Sequence, residues 1–197
     1  MSTRVYIFAG FLDSGKTTFI NDTLSNPDFY NGEDTLLISF EEGEVPYQEN
    51  ILKRANTNLE ILDHENYTTN DLMALENKYH PTQILIEANG MMDLNAFVKE
   101  IVPENWNVVQ VLTTIDTTTF SMYVSNMRSL VYGQVVFSDL VIFNRYNRNV
   151  KKSSLRNNIK AINSNAQIIY ELPDGTIDTL NTEEEMPFDI NQDRIEI

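Results

Sequence analysis

The chain has 197 residues, enough for one domain with a sizeable core, and 42% of them are hydrophobic, which excludes a disordered chain by composition. Its 29 acidic and 14 basic residues give a formal net charge of -15, which argues against nucleic acid and anionic membrane as partners, because neutralising phosphates takes clustered Lys and Arg. There is no cysteine, so disulfides and thiolate metal sites are excluded, and a reducing cytoplasm is compatible with that. No apolar run approaches the ~20 residues of a membrane span, and the run in "MSTRVYIFAG" is too short for a signal peptide.

The elements follow in chain order. "RVYIFAG" is apolar and β-prone and reads as a buried strand. "SGKTTFINDTLSN" has helical spacing and stops at Asn26-Pro27. "DTLLISF" is a second strand, "VPYQENILKRAN" a short helix and "NLEIL" a short strand. "TTNDLMALENKYH" is an amphipathic helix with capping chemistry at its start, closed by Pro81. "TQILIEANG" is a buried strand, "LNAFVKEIV" helical and "NVVQVLTTID" a strand. "TFSMYVSNMRSLVYGQVVF" is helical with a break, "SDLVIFN" a strand, "NVKKSSLRNNIKAIN" a helix and "AQIIYEL" the last strand. This alternation predicts an α/β fold: a mostly parallel sheet with helices on both faces. Residues 1–172 form that unit. Residues 173–197 are acidic and lack helical period, and "FDINQDRIEI" resumes alternation; they read either as a linker with the stub of a second domain or as a disordered acidic tail.

One motif carries chemistry. In "IFAGFLDSGKTTFIND", Gly10, four residues, then Gly15-Lys16-Thr17 has the spacing of a nucleotide-phosphate loop, with a strand before it and a helix after it. Glycines let the backbone wrap an anion, and the helix start adds positive partial charge. Lys16 would reach the β- and γ-phosphates, and Thr17 would place its hydroxyl on Mg²⁺. The nucleotide contacts are expected from Gly10, Asp13, Ser14, Gly15, Lys16, Thr17 and Thr18. Glu87, at the end of "ILIE", is placed to hold Mg²⁺ directly or through water. Glu41, after the second strand, would reach the metal or the attacking water once nucleotide orders its segment, or else belongs to a solvated acidic turn. Lys16, Glu41 and Glu87 are thus the catalytic candidates, and Thr17, Glu41 and Glu87 the metal candidates.

The wording around the loop says more. "GFLDSGKTT" resembles the phosphate loop of the CobW-type GTPases, usually G-F-L-G-[AS]-G-K-T-T, relatives of the nickel-inserting GTPases of hydrogenase and urease maturation. "FEEGEV" resembles the family's Asn-Glu-Phe-Gly-Glu-Val at Glu41, Gly43, Glu44 and Val45. "IEANG" resembles Glu-x-x-Gly, with Glu87 and Gly90; "IDTTTF" resembles Val-Asp-x-x-x-Phe, with Asp116 and Phe120. "GQVVFSDLVIFNR" supplies Gln134, Asp139 and Asn144, and "INSNAQII" follows. The ordered set spans residues 4–170. It implies GTP, or another nucleoside triphosphate, with Mg²⁺; a backbone N–H from Gly90 to the γ-phosphate; slow hydrolysis; and a switch role toward a protein client or metal acceptor. The alternative is a degenerate member that binds nucleotide or a partner without metal chaperone activity.

Three departures matter. The guanine-reading Asn-Lys-x-Asp is "NRYN" here: Asn144 and the Arg145 stem can still serve the base, but Asn147 replaces a charged acceptor with an amide. The family's Cys-x-Cys-Cys is absent, and its region offers Asp63, His64 and Glu65, either hard-ligand donors or a solvated turn; His80 reads as a helix-end residue. The usual C-terminal domain is at most a stub. Oligomeric state is not legible. The aromatics Tyr6, Phe8, Phe11, Phe19, Trp106, Phe120 and Phe143 are expected in the core.

Overall fold

A computed structural model describes residues 2–179 except 31, 42 and 44, and not the side chain of Tyr30. The expectations for Glu44 and for the "FDINQDRIEI" segment lie outside the described residues. The strands are β1 (Thr3–Gly10), β2 (Thr35–Ser39), β3 (Thr57–Ile61), β4 (Gln83–Glu87), β5 (Trp106–Asp116), β6 (Leu140–Asn144) and β7 (Gln167–Tyr170). The helices are α1 (Lys16–Ser25), α2 (Pro27–Tyr30), α3 (Glu49–Arg54), α4 (Thr69–Tyr79), α5 (Leu94–Ala96), α6 (Phe120–Asn126), α7 (Arg128–Val135) and α8 (Lys152–Lys160); α5 runs on as a π-helical stretch, Phe97–Ile101.

The strands form one seven-stranded sheet in the order β3-β2-β4-β1-β5-β6-β7. Every pairing in it is parallel. Parallel neighbours need a crossover, and the helices supply it, covering both faces. β2 and β4 are buried along their whole length, which is why "TLLIS" and "QILIE" are continuous rather than alternating apolar runs. Along β1, Val5, Ile7 and Ala9 pack with Leu72 of α4 and Leu94 of α5. Phe8 points the other way, onto Ile20 and Leu24 of α1 and Ile51 of α3. Further along the sheet, Ile115, Val141 and Phe143 pack with Val131 and Val135 of α7 and Leu155 and Ile159 of α8. Each fully buried aliphatic side chain contributes about 1.5–3 kcal/mol, so the sheet centre is the rigid base on which its loops stand. Of the aromatics, Phe8, Phe11, Trp106, Phe120 and Phe143 are buried and Tyr6 and Phe19 are half-buried.

Local differences from the sequence reading have local causes. The first helix does stop at Asn26, but Pro27 opens a further single turn, α2, with the Asn26 Oδ1 accepting from the Asp28 N–H at 3.0 Å. The helix expected over "VPYQENILKRAN" is confined to α3, because the chain is still extended at Gln48 (φ -83, ψ 113). The break in the next long helical stretch falls at Met127, between α6 and α7. At α4 the Asp71 carboxylate accepts from the N–H (2.8 Å) and hydroxyl (2.7 Å) of Thr68, and His80 ends the helix in a left-handed conformation (φ 47). After β7 the chain turns back on itself: Leu172 N–H donates to Thr176, and Glu171 and Ile177 form an antiparallel bridge.

Candidate functional site

The carboxyl ends of β1, β2, β4, β5 and β6 meet at one edge of the sheet, the usual place for a ligand in an open parallel sheet. The register sets what faces what there: Ser39 pairs with Glu87, Phe8 with Glu87, Gly10 with Thr114, and Asp116 with Asn144. The Gly10–Thr17 loop leaves β1 at this edge and enters α1.

The loop glycines are dictated by close approach. At Gly10 (φ +133) a Cβ would lie 2.3 Å from the Thr114 carbonyl oxygen and 2.6 Å from Ser14 Oγ. At Gly15 (φ +92) it would lie 2.6 Å from Asn144 Nδ2. Asp13 adopts φ 57 where the resembled family has glycine, a conformation Asp tolerates at some cost. Ser14 is buried, its hydroxyl 2.8 Å from that of Thr114. Lys16 is only 2% exposed. Its ammonium donates to the carbonyl oxygens of Gly10 (3.0 Å) and Phe11 (2.8 Å), and Glu41 Oε2 lies 3.0 Å away. That Glu41 oxygen makes no directed hydrogen bond, so its contact with Lys16 is Coulombic. Glu41 therefore sits against the phosphate-loop lysine.

Thr17 and Glu87 do come together. Thr17 donates to Glu87 Oε1 at 2.6 Å, and Glu87 Oε2 accepts from Ser39 (2.7 Å) and from Tyr47. Glu87 is 1% exposed, and the partners described for it are hydroxyls. Burial first, then the Glu87 charge and the bond to it, push the Tyr47 phenol well above its usual range, so it stays a donor. A buried carboxylate among hydroxyls is a hard-oxygen donor set that suits Mg²⁺ completed by phosphate and water. Glu87 and Thr17 would hold it; Glu41 joins the set only by leaving Lys16. Gly43 backs onto the same spot, its virtual Cβ 3.6 Å from Thr17 Oγ1. Gly90 lies against the loop backbone, where a Cβ would come within 2.7 Å of Leu12 N. Thr18 is exposed on the first turn of α1.

"NRYN" reaches the loop from β6. Asn144 Nδ2 donates to the Ser14 carbonyl oxygen at 2.5 Å, and its Oδ1 is buried with no hydrogen-bond partner. Arg145 (φ 49) donates to the Asp13 carbonyl oxygen at 3.2 Å and pairs with Asp116. Burial alone would raise the Asp116 carboxyl; hydrogen bonds from Thr118 and Arg145 outweigh it and hold it below the usual carboxylate value. Asn147 is exposed, its Oδ1 accepting from the Asn149 N–H at 3.1 Å, and it borders a groove with Thr117, Ser121, Ser154 and Asn158. Asp63, His64 and Glu65 are exposed neighbours with contacts no closer than 3.9 Å to the imidazole, and no group of three or more His, Cys, Asp or Glu that could hold a metal occurs among the described residues.

Sequence reasoning did not single out Ser39, Tyr47 or Thr114. Ser39 could have been found as the residue ending the second strand; Tyr47 had no signal, because it reaches Glu87 across 40 positions.

A glycine loop between β1 and α1 of a parallel sheet, a buried lysine at its end, and a Thr–Glu pair beside it define a P-loop nucleotide-binding protein. Residues 4–170 match the model of the CobW/HypB/UreG nucleotide-binding domain, and the chain belongs to that family. Zn(II)-bound YjiA GTPase from E. coli superposes with a TM-score of 0.64 at 20% identity, over 91% of this chain and 60% of that one. The hydrogenase maturation factor HypB from Archaeoglobus fulgidus gives 0.60 at 16% identity, over 85% and 80%. FlhF complexed with GMPPNP and Mg²⁺ gives 0.54 at 13% identity, over 87% and 66%. The chain thus spans less than two thirds of YjiA. A comparison with curated protein sequences gave no match. No helix among the described residues is long and apolar enough to cross a membrane.

Proposed function

We propose that the chain binds a nucleoside triphosphate, GTP first, with Mg²⁺ at the Gly10–Thr17 loop, hydrolyses it slowly, and acts as a switch in delivering a metal or cofactor. The observation that carries this reading is the buried Lys16 at the loop end, next to the Thr17–Glu87 pair. An incoming β/γ-phosphate replaces the Glu41 carboxylate at Lys16, anion for anion. Glu41 then swings toward the attacking water. Water adds to the γ-phosphorus as the bond from phosphorus to the bridging oxygen breaks, the water's proton going to the released phosphate, and Lys16 offsets the charge gathering on the β-phosphate. Mg²⁺, which Thr17 and Glu87 would hold, would supply charge neutralisation to the triphosphate. Turnover rests on positioning, which fits a slow intrinsic rate.

The metal-delivery role comes from the family and from the Zn(II) in the YjiA structure, and YjiA extends beyond what this chain covers. A second reading, nucleotide binding or partner binding without metal chaperone activity, is favoured by the missing cysteines and the exposed Asp63–Glu65 turn. Melting curves titrated with GTP, ATP and XTP analogues, with and without Mg²⁺, test the proposal. Stabilisation by a triphosphate supports it; no shift with any of them overturns it.

A further inference from the structure

Gln134, on α7, is fully buried, yet it is polar and lies at the back of the phosphate loop. Its side chain joins two segments that the sequence keeps far apart. The Oε1 accepts from the Gly10 N–H at 3.0 Å, and the Nε2 donates to the carbonyl oxygens of Gly90 (3.3 Å) and Met92 (3.2 Å). The orientation is unambiguous, because only the amide oxygen can accept from Gly10 and only the NH₂ can serve two carbonyls. The Gln134 backbone is pinned as well: its carbonyl oxygen accepts from Thr113 (2.9 Å) and Ser138 (3.0 Å). A second observation concerns the same two segments. Gly90 packs directly on the loop, its virtual Cβ 2.7 Å from Leu12 N and 3.0 Å from the Phe11 carbonyl carbon. The Gly90 loop therefore cannot move without either sliding along Phe11–Leu12 or releasing the Gln134 amide.

We infer that Gln134 is a positioning residue that couples the phosphate loop to the Gly90 loop and so sets how strongly the chain distinguishes triphosphate from diphosphate. The inference rests on the proposed nucleotide site and deepens it. In the proposed site a diphosphate would engage the Gly10–Thr17 loop alone, whereas a γ-phosphate would extend beyond it toward the Gly90 loop that packs on Phe11 and Leu12. Only the second ligand depends on the Nε2 side of the amide.

Gln134→Glu separates the two sides. A carboxylate of the same size still accepts from Gly10 but, when ionised, cannot donate to Gly90 and Met92. Calorimetric affinities for GDP and GMPPNP with Mg²⁺ at pH 8 are expected to show the GMPPNP/GDP affinity ratio falling about tenfold from the wild-type value. A ratio that matches wild type, with both ligands bound, overturns the inference. So does a parallel loss for both ligands, which would make Gln134 a core brace only. A wild-type chain that binds neither ligand fails the nucleotide reading itself, a result the variant does not produce. If the variant does not fold, hydrogen exchange on the wild-type chain decides: GMPPNP should protect the Gly10 amide and residues 90–92 together and beyond GDP, and protection of one segment alone overturns the coupling.

Discussion

Glu41 Oε2 lies 3.0 Å from Lys16 Nζ, with both side chains largely buried, so the phosphate-loop lysine is neutralised by the chain's own carboxylate. Removing one member of a buried ion pair leaves the other uncompensated, at a cost of about 3–5 kcal/mol where burial is complete. Glu41→Gln should therefore lower the melting temperature of the ligand-free chain and enlarge the upward shift on adding GDP. A GDP-induced shift equal to that of the wild type would mean that Glu41 does not compete with phosphate.

Lys16→Ala should abolish triphosphate binding, because the loop loses the cation poised at the β/γ position. Titration calorimetry with GTP checks it. Unchanged affinity would place the nucleotide elsewhere.

Asp13→Gly relieves a left-handed backbone (φ 57) and removes a negative charge from the mouth of the loop. The expected stability gain is about 0.5–1 kcal/mol, partly offset by the added freedom of glycine when unfolded, with tighter GDP binding besides. Denaturant unfolding and calorimetry read the two effects separately.

Asn147→Asp should raise the GTP/XTP affinity ratio by roughly ten- to a hundredfold if Asn147 reads the base edge, since a charged acceptor replaces an amide facing guanine N1–H and N2–H. The bond from Asn149 N–H to the side-chain oxygen can survive the exchange, so the loop itself is not put at risk. An unmoved ratio would mean that the exposed Asn147 faces its groove rather than the base.

The Asp116 carboxyl is held below its usual 3.8, so its contribution to stability is complete above that value and is lost as pH falls through the lower, folded value. Asp116→Asn should give a melting temperature that depends less steeply on pH below about 4. Identical acid limbs in the two proteins would show that the Thr118 and Arg145 contacts contribute nothing.

The order of strands and helices was legible because it is written locally: apolar runs bounded by glycine and proline, and the switch from continuous to 3.6-residue periodicity. The glycine loop was legible too, since a backbone that passes 2.3 Å from where a Cβ would stand admits only glycine at Gly10, whatever surrounds it. Thr17 and Glu87 were each legible as metal candidates, from the loop spacing and from a strand end, but not their direct bond to one another. Which groups answer these residues was decided only by the sheet. The order β2-β4-β1-β5 sets Ser39 beside Glu87 and Thr114 beside Gly10, and the α7 crossover carries Gln134 to a loop 124 positions away in sequence. Glu41 could be read as an acidic residue after a strand, but not as the present partner of Lys16, because that contact depends on how the segment folds over the loop. Local spacing encodes backbone conformation; the pairing of buried charges and amides is encoded in strand order and crossover, which no stretch of sequence carries by itself.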